Sequence, residues 1–343
     1  MEYLIGEKQY FLDYLNNLTK KDRIGIISHT DLDGISSALI LTEILKSKKI
    51  KPKEIAFTNY GKGMFTEIQK KFIKKKINKI LISDISVGSD YEGFKELEKN
   101  FYVFTVDHHP SEIVPQTNII QTNTADCAAF TLFDLAKEDY DLSKMEELVC
   151  ATMILEFSYK SESNFQFIKQ HYPNITLGEI NNSEPAELAK KISSALSYFS
   201  RKEKKVFDLI KKGKIKRLLK YGEIIDNEIK LVIEKFWKEA EFYPEKNLYF
   251  YYSPLKFGIS SAITTQLAIK EPDKSFIFVS DIHDKPDFVK VSSRNSSSKE
   301  DMNLLMKKGV AGLEQATGGG HVPAAGGSFL KKDLERFKEN ILS

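Results

Sequence analysis

The chain has 343 residues, enough to bury a large core and to form about two domains of roughly 100–200 residues each. Its 51 basic and 48 acidic residues leave a formal charge of +3, which excludes a strong electrostatic footprint for a long nucleic-acid duplex. The chain has two cysteines, Cys127 and Cys150, which are too few for a disulfide framework or a cysteine zinc motif. The sequence shows no signal-peptide pattern, and no apolar run approaches the roughly 20 residues of a membrane span. We therefore expect a cytoplasmic protein.

Strand-like and helix-like patterns alternate over the first 125 residues, which is typical of a parallel sheet. A leading helix is predicted over residues 9–18, and the clearest later helix, over residues 35–48, has an apolar face that includes Leu41 and Ile44. The predicted strands cover residues 23–28, 54–58, 79–83, 102–106 and 118–121.

The rest of the chain is predicted to be helical first and mixed later. Helical patterns cover residues 125–158 and 184–237, after which strands over 248–253, 275–280 and 288–292 are interleaved with helices over 259–269 and 299–308. We therefore predict an α/β protein with a parallel-sheet N-terminal domain over residues 1–190, a helical connector over 191–245 and a smaller α/β C-terminal domain over 246–343.

Histidines and carboxylates directly follow three of the predicted strands: His29, Asp31 and Asp33; Asp84; and Asp107, His108 and His109. Alternate residues of an extended chain point to one side, and the carboxyl ends of parallel strands meet at one edge of a sheet. Each group alone is also compatible with an ordinary turn, but their recurrence predicts a shared metal site. Carboxylates with one or two imidazoles suit Mn²⁺.

A second constellation lies near the end of the chain. Residues 318–327 combine five glycines and two alanines with His321, a composition that leaves backbone amides open to a phosphate or a sugar. The alternative is a flexible loop with an incidental histidine. Upstream, Arg294 ends a predicted strand, where its planar guanidinium suits bidentate phosphate contact, although a surface salt bridge would explain it equally well.

Taken together, these motifs resemble the DHH phosphoesterase family with its DHH-associated C-terminal domain, and they occur in the order of that family: residues 29–34, Asp84, Asp107-His108-His109 and Gly318-Gly319-Gly320-His321. The length resembles that of the nanoRNases and of the short archaeal RecJ-like phosphodiesterases. The resemblance implies a catalytic metal-binding domain, a substrate-binding domain, and an active site in the cleft between them.

The resemblance also implies two Mn²⁺ ions in each active site. His29 and Asp31 are expected to bind one ion, Asp33 and His108 the other, and Asp84 is expected to bridge them. A bridged pair of metals activates water and neutralises charge on a phosphodiester.

Further roles follow from the same resemblance. Asp107 is expected to orient His108, and His109 is expected to face the substrate. The family usually supplies another aspartate after a helical run, and Glu156 holds the corresponding place in this chain, where its longer side chain changes the geometry. Residues expected to grip the nucleotide are Arg294, Gly318, Gly319, Gly320 and His321.

The function implied is that of a hydrolase: an Mn²⁺-dependent phosphodiesterase that converts short single-stranded RNA or DNA oligonucleotides or linear dinucleotides to nucleoside monophosphates. Cyclic dinucleotides such as c-di-AMP are a further candidate substrate. The alternatives are a RecJ-like single-strand exonuclease and a catalytically inactive nucleotide sensor, for which Glu156 is the single hint. No membrane partner is expected, and the resemblance permits a homodimer.

Overall fold

The structure is a computed structural model that describes residues 1–110 and 118–343. These residues divide into two compact units, residues 1–222 and residues 223–343. The division lies within a long helix, α10 (Ile215–Glu239). The sequence instead placed a separate connector over residues 191–245, and its three-part domain scheme stays a prediction.

The first unit is built on a six-stranded sheet with the order β1-β6-β5-β4-β2-β3. Its strands are β1 (Tyr3–Ile5), β2 (Ile24–His29), β3 (Glu54–Thr58), β4 (Lys79–Ser83), β5 (Tyr102–Asp107) and β6 (Ile119–Thr122). Strands β2 to β6 are parallel, and β1 pairs antiparallel with β6. The predicted parallel sheet is therefore confirmed, whereas the three residues of β1 are too few to show a strand pattern in the sequence.

Helices cover both faces of this sheet. Besides α10 they are α1 (Lys8–Asn16), α2 (Leu32–Ser47), α3 (Met64–Lys74), α4 (Tyr91–Asn100), α5 (Ala128–Ala136), α6 (Glu146–Leu155), α7 (Glu162–His171), α8 (Glu184–Tyr198) and α9 (Glu203–Lys211). Ile26, Leu81 and Phe104, which are paired neighbours in the sheet, belong to the core on the α2 side. Ile80 and Ile82, which flank Leu81 in β4, belong to the core on the α3 and α4 side, as the alternation of strand side chains requires.

The second unit also contains a six-stranded sheet, with the order β11-β12-β10-β9-β8-β7. Its elements are β7 (Glu241–Tyr243), β8 (Leu248–Tyr252), α11 (Ser260–Lys270), β9 (Ser275–Ile282), β10 (Lys285–Arg294), α12 (Met302–Gly309), β11 (Thr317–His321), β12 (Ala324–Leu330) and α13 (Leu334–Leu342). Among its strands β8 and β9 run parallel, and the other neighbours are antiparallel. The predicted α/β class is thus confirmed for the whole chain.

The glycine-rich segment is a β-hairpin rather than a loop. Gly318 pairs with Gly327 across the hairpin, and β12 pairs with β10 on its other side. Backbone pairing on both sides holds β12 in place, so this strand needs few side chains to specify it. Within the described parts of the chain, no helix combines the length and the apolar character that crossing a membrane requires.

Candidate metal centre

The first motif joins the end of β2 to the start of α2. Asp31 is the N-cap of α2 and accepts a hydrogen bond from the Gly34 amide at 3.0 Å, while its second oxygen lies 2.7 Å from His29 Nδ1. Gly34 is required here, because a Cβ atom at this position would lie 2.3 Å from the His29 carbonyl oxygen. Burial alone would raise the pKa of Asp31, but the hydrogen bond from His29 holds it below its usual value.

Asp84 lies between the two histidine-containing motifs. It follows β4 in a left-handed backbone conformation with φ of +57°, which aspartate tolerates better than most residues, and it is 1% exposed. Its Oδ2 lies 3.7 Å from His29 Nδ1, and its Oδ1 lies 3.4 Å from His108 Nε2. Among the described residues, neither Asp84 Oδ2 nor His108 Nδ1 has a hydrogen-bond partner.

Asp33 combines a contact with the site and a structural contact. It is buried in the first turn of α2, and its carboxylate accepts hydrogen bonds from the amides of Ala128 and Ala129 at 2.8 and 2.7 Å. These amides begin α5, whose N-cap residue, Cys127, makes no side-chain cap. The Asp33 Oδ2 atom also lies 3.6 Å from Nε2 of His108, the residue with which Asp33 is predicted to share a cation.

Asp107 contacts a different histidine from the one predicted. Its Oδ1 lies 2.8 Å from His109 Nδ1, whereas the sequence analysis assigned it to orienting His108. The physical reason is that β5 ends at Asp107 and the chain bends at His109, which brings the His109 ring back to the Asp107 carboxylate. The assignment of Asp107 to His108 was therefore wrong, and Asp107 orients His109.

Two carboxyl groups of the site, those of Asp84 and Glu156, have a raised pKa. Burial, followed by the charges of Asp33 and Asp31, raises the pKa of Asp84 well above its ordinary range. Burial and the same two neighbours raise the pKa of Glu156, the residue after α6, to about 8. Glu156 is therefore close enough to Asp33 and Asp31 to feel their charge, and its role as a metal ligand, which the family resemblance implies, stays a prediction.

The donor atoms fit divalent cations. Two groups have all their ligand atoms within 4.8 Å of one another: His29, Asp31 and Asp84, and Asp84, His108 and His109. Asp84 belongs to both groups. Oxygen-rich donors with imidazole suit Mn²⁺ and Mg²⁺, and a cation would relieve the repulsion among the buried carboxylates. The first group consists of three predicted metal ligands, while the second contains His109 in addition to Asp84 and His108, and Asp33 Oδ2 lies 3.6 Å from the His108 Nε2 atom of that group.

Comparison with protein families supports this interpretation of the motifs. Residues 23–172 match the DHH family, N-terminal domain. The chain contains a DHH-family N-terminal domain. The matched segment of this DHH domain includes every predicted metal ligand and Glu156. No curated protein matches the chain in sequence.

Solved structures share the fold of the chain. Exonuclease RecJ bound to manganese aligns with a TM-score of 0.74 at 16% identity, over 97% of this chain and 92% of RecJ. RecJ from Thermus thermophilus in complex with Mn²⁺ aligns with a TM-score of 0.71 at 14% identity, over 97% of this chain and 53% of that protein, so this chain spans about half its length. An exopolyphosphatase-related protein from Bacteroides fragilis aligns with a TM-score of 0.59 at 15% identity, over 100% and 98% of the two chains.

Beyond the DHH domain, the second unit brings two predicted phosphate-binding residues onto one row of its sheet. Arg294 pairs with Ala324, and Ala324 pairs with His321 on its other side. Directly paired residues in a sheet point to the same face, so Arg294 and His321 share a face. Among the described residues, Arg294 Nε is buried without a hydrogen-bond partner. The glycine amides are less open than predicted, since the Gly320 amide donates to Asn303 Oδ1 at 3.1 Å.

The site also contains one aromatic residue that the sequence analysis did not single out. Tyr60 follows β3, and its hydroxyl oxygen lies 2.8 Å from His109 Nε2. The available signal was positional, because the carboxyl end of β3 lies on the same sheet edge as the ends of β2, β4 and β5. Tyrosine carries no metal-ligand signature of its own, which is why a search for histidines and acids passed over it.

Proposed function

We propose that the protein is an Mn²⁺-dependent phosphodiesterase that hydrolyses short oligonucleotides or linear dinucleotides to nucleoside monophosphates. The observation that carries this proposal is the placement of Asp84, whose two carboxylate oxygens face His29 on one side and His108 on the other. A buried carboxylate between two sets of donors is what a bridge between two divalent cations requires.

In this proposal His29 and Asp31 bind one cation, Asp33 and His108 bind the second, and Asp84 contacts both. When bound, the cations supply positive charge that stabilises the transition state of phosphodiester hydrolysis and activate water as the nucleophile. The proposed ligands lie at or just after the carboxyl ends of β2, β4 and β5 and in the first turn of α2.

Three further residues of the DHH domain, Asp107, His109 and Glu156, are proposed to complete the site around the substrate and the metals. Asp107 fixes one ring nitrogen of His109, and the His109 side chain is 29% exposed, so the imidazole is accessible to a substrate oxygen. Glu156 adds a further carboxylate to the cluster and is proposed as an additional metal ligand.

Residues of the second unit are proposed to recognise the nucleotide. Arg294 contributes a guanidinium whose Nε atom has no hydrogen-bond partner within residues 1–110 and 118–343, and His321 contributes an imidazole on the same sheet face. A guanidinium and an imidazole suit phosphate oxygens. Gly318, Gly319 and Gly320 are proposed to lie beside a sugar or a phosphate, and Gly319 is the least crowded of the three, since a Cβ atom there would have Asn303 Oδ1 at 3.5 Å as its nearest neighbour.

Two other activities remain candidates. The fold shared with RecJ favours a single-strand exonuclease as the alternative, and cyclic dinucleotides such as c-di-AMP are a further candidate substrate. An inactive nucleotide sensor fits less well, because His29, Asp31, Asp33, Asp84 and His108 are all present. Assembly as a homodimer and a cytoplasmic location stay predictions.

The test is hydrolysis of a substrate panel by the purified protein in Mn²⁺, in Mg²⁺ and in EDTA. The panel contains the linear dinucleotide pApA, cyclic di-AMP, short RNA, short DNA and a strand of about 20 nucleotides, because enzymes that act on long strands need an extended binding track. We expect mononucleotides from pApA and from short strands in Mn²⁺. Faster release from the long strand than from pApA would favour the exonuclease, and no release from any substrate would contradict both enzymatic proposals.

A further inference from the structure

Tyr60 contacts residues from all three motifs of the candidate metal centre. Its hydroxyl oxygen lies 2.8 Å from His109 Nε2 and 3.3 Å from the carbonyl oxygen of Asp84. Its ring centroid lies 4.4 Å from that of His29. A single side chain from the connection between β3 and α3 therefore meets the ends of β2, β4 and β5.

The contact with His109 completes the hydrogen bonding of that imidazole. A carboxylate accepts only, so the Asp107 bond puts a proton on His109 Nδ1. In the neutral ring Nε2 then has a lone pair, at 2.8 Å from the Tyr60 hydroxyl oxygen. The single Tyr60 proton has two acceptors within reach, this lone pair and the Asp84 carbonyl oxygen at 3.3 Å, and we assign it to the nearer one, His109 Nε2. Both ring nitrogens are thereby occupied, which fixes the tautomer of His109 and prevents rotation of the ring.

The neighbouring histidine differs in this respect. Among the described residues, His108 Nδ1 has no hydrogen-bond partner, while His108 Nε2 faces the carboxylates of Asp33 and Asp84 at 3.6 and 3.4 Å. His108 thus presents a nitrogen to the acids that would bind metal, whereas His109 has its two nitrogens committed to Asp107 and Tyr60. The two histidines therefore have different hydrogen-bonding environments, which fits metal binding by His108 and substrate contact by His109.

The segment that carries Tyr60 is itself attached to the first motif. The Thr30 hydroxyl donates to Asn59 Oδ1 at 2.6 Å, which connects the residue before Tyr60 to the residue between His29 and Asp31. The next turn uses Gly61 and Gly63, with φ of +141° and +82°, values that glycine adopts without strain. The position of Tyr60 is therefore fixed by a hydrogen bond at the residue before it and by a glycine-containing turn after it.

We propose that Tyr60 is the positioning residue for His109: its hydroxyl and the Asp107 carboxylate hold the imidazole from opposite ends, so that His109 serves the substrate and is withheld from the metals. This inference rests on the proposed function for the role of His109, but the positioning itself does not depend on which substrate is hydrolysed. Tyr60 acts through His109, and its own contact with substrate is not required.

The first test uses NMR spectroscopy to determine which nitrogen of the His109 imidazole carries the proton. Long-range ¹⁵N–¹H spectra of Mg²⁺-loaded protein avoid the paramagnetism of Mn²⁺, and the His109→Asn variant assigns the resonance. We expect a single tautomer with the proton on Nδ1 in the wild type, and a mixture of tautomers in Tyr60→Phe. Asp107→Asn removes the opposite partner and is expected to disturb the same resonance, which keeps the test decisive should one variant fold poorly.

The matched control is Tyr10→Phe. Tyr10 is exposed on α1, so this variant also removes one phenolic hydroxyl from the first unit while leaving His109 untouched. Its spectrum is expected to equal that of the wild type. An unchanged His109 resonance in both Tyr60→Phe and Asp107→Asn would overturn the proposal, whatever the enzyme assays show.

The second test is a double-mutant cycle on turnover. Loss of a neutral hydrogen bond corresponds to a fall of about 3- to 10-fold, which we expect in kcat for Tyr60→Phe, with little change in KM. In the His109→Asn background the same change is expected to have no effect, because the residue through which Tyr60 acts is gone. Equal losses in both backgrounds would show that Tyr60 acts independently of His109 and would contradict the inference. If no substrate of the panel is hydrolysed, the proposed function fails while the spectra still decide this point.

Discussion

Asp107 Oδ1 lies 2.8 Å from Nδ1 of His109, two residues farther along the chain. The first motif contains the same relationship, with Asp31 Oδ2 2.7 Å from Nδ1 of His29. In both cases a carboxylate fixes the Nδ1 side of an imidazole at the end of a parallel strand. In His109 the opposite nitrogen, Nε2, contacts the Tyr60 hydroxyl, whereas in His29 it is again Nδ1 that lies nearest Asp84, at 3.7 Å.

Replacing the central carboxylate should abolish metal-dependent hydrolysis. Asp84→Ala removes the one side chain that belongs to both donor groups, so we expect a loss in kcat/KM of at least about 1000-fold together with weaker Mn²⁺ binding. Calorimetric titration with Mn²⁺ and the dinucleotide assay measure the two effects. Asp13→Ala, on the exposed face of α1, is the control. Substantial turnover by metal-replete Asp84→Ala would refute the two-metal assignment.

Activity should tolerate a shorter carboxylate side chain at position 156 but not the loss of the carboxylate. Glu156→Asp restores the carboxylate usual in the DHH family and is expected to keep or raise activity, whereas Glu156→Ala is expected to lower both the rate and the affinity for Mn²⁺. Glu162→Ala, an exposed acid on the neighbouring helix α7, should change neither. If Glu156→Ala retains wild-type rate and metal affinity, Glu156 is not a ligand.

The metal-free protein should lose stability as the pH rises. The pKa of Glu156 is about 8 in the folded protein against an ordinary value of 4.5, so between these values the folded state binds a proton that the unfolded chain has released. The free energy of unfolding therefore falls as the pH rises from about 4.5 to about 8, and saturating Mg²⁺ should remove this fall by neutralising the carboxylates.

Urea unfolding at several pH values, in EDTA and in Mg²⁺, measures this effect. The Glu156→Gln variant isolates the contribution of one group, because it removes the titration while keeping the shape of the side chain. We expect the wild type in EDTA to lose more stability between about pH 5 and about pH 8 than the variant does. Identical pH profiles of the two proteins would contradict the raised pKa of Glu156.

The phosphate-binding residues of the second unit should matter more for nucleotides than for simple esters. Arg294→Ala and His321→Ala are each expected to lower kcat/KM on pApA by about 10- to 150-fold, the usual cost of a lost charge-assisted contact, without changing Mn²⁺ binding. A chromogenic diester that lacks a second nucleotide should suffer less. Lys290→Ala removes an exposed cation from the same strand as Arg294 and serves as the control. Equal losses on both substrates would assign the two residues to chemistry rather than to recognition.

A single glycine should stabilise the first unit. Lys49 follows α2 with φ of +59°, and its amide and that of Ile50 donate back to Lys46 and Leu45 at 2.8 Å each. The helix α9 ends with the same pair of bonds, at 2.8 Å each, but with Gly213 in the left-handed position. We expect Lys49→Gly to raise the free energy of unfolding by about 1 kcal/mol and Gly213→Ala to lower it by a similar amount, both measurable by urea unfolding.

The sequence predicted the parts of the structure that depend on local sequence patterns. Strands β3 and β4 have their predicted bounds, because apolar runs followed by turn residues define a buried parallel strand well. The carboxyl ends of these strands were predictable for the same reason, and the candidate metal ligands His29, Asp84 and His108 lie at or just after the ends of β2, β4 and β5.

Other features depend on contacts between distant segments. Tyr60 becomes part of the site only because β3 lies next to β2, and Arg294 and His321 meet on one row only through the register of β12. The hairpin of β11 and β12 was missed because glycine disfavours strands intrinsically, and backbone pairing overrides that preference. The error about Asp107 came from assuming that adjacent residues contact each other, whereas the bend after β5 brings His109 to the Asp107 carboxylate.

The double attachment of Asp33 complicates any alanine scan of this centre. Its carboxylate caps α5 from 95 and 96 residues away, in a helix whose own N-cap residue, Cys127, provides no side-chain cap. Truncating Asp33 would therefore leave two buried amides unsatisfied as well as removing a donor from the site, and inactivity in Asp33→Ala would mix local unfolding with lost catalysis. Because the same atoms anchor a helix and serve the site, selection acting on either one constrains the other.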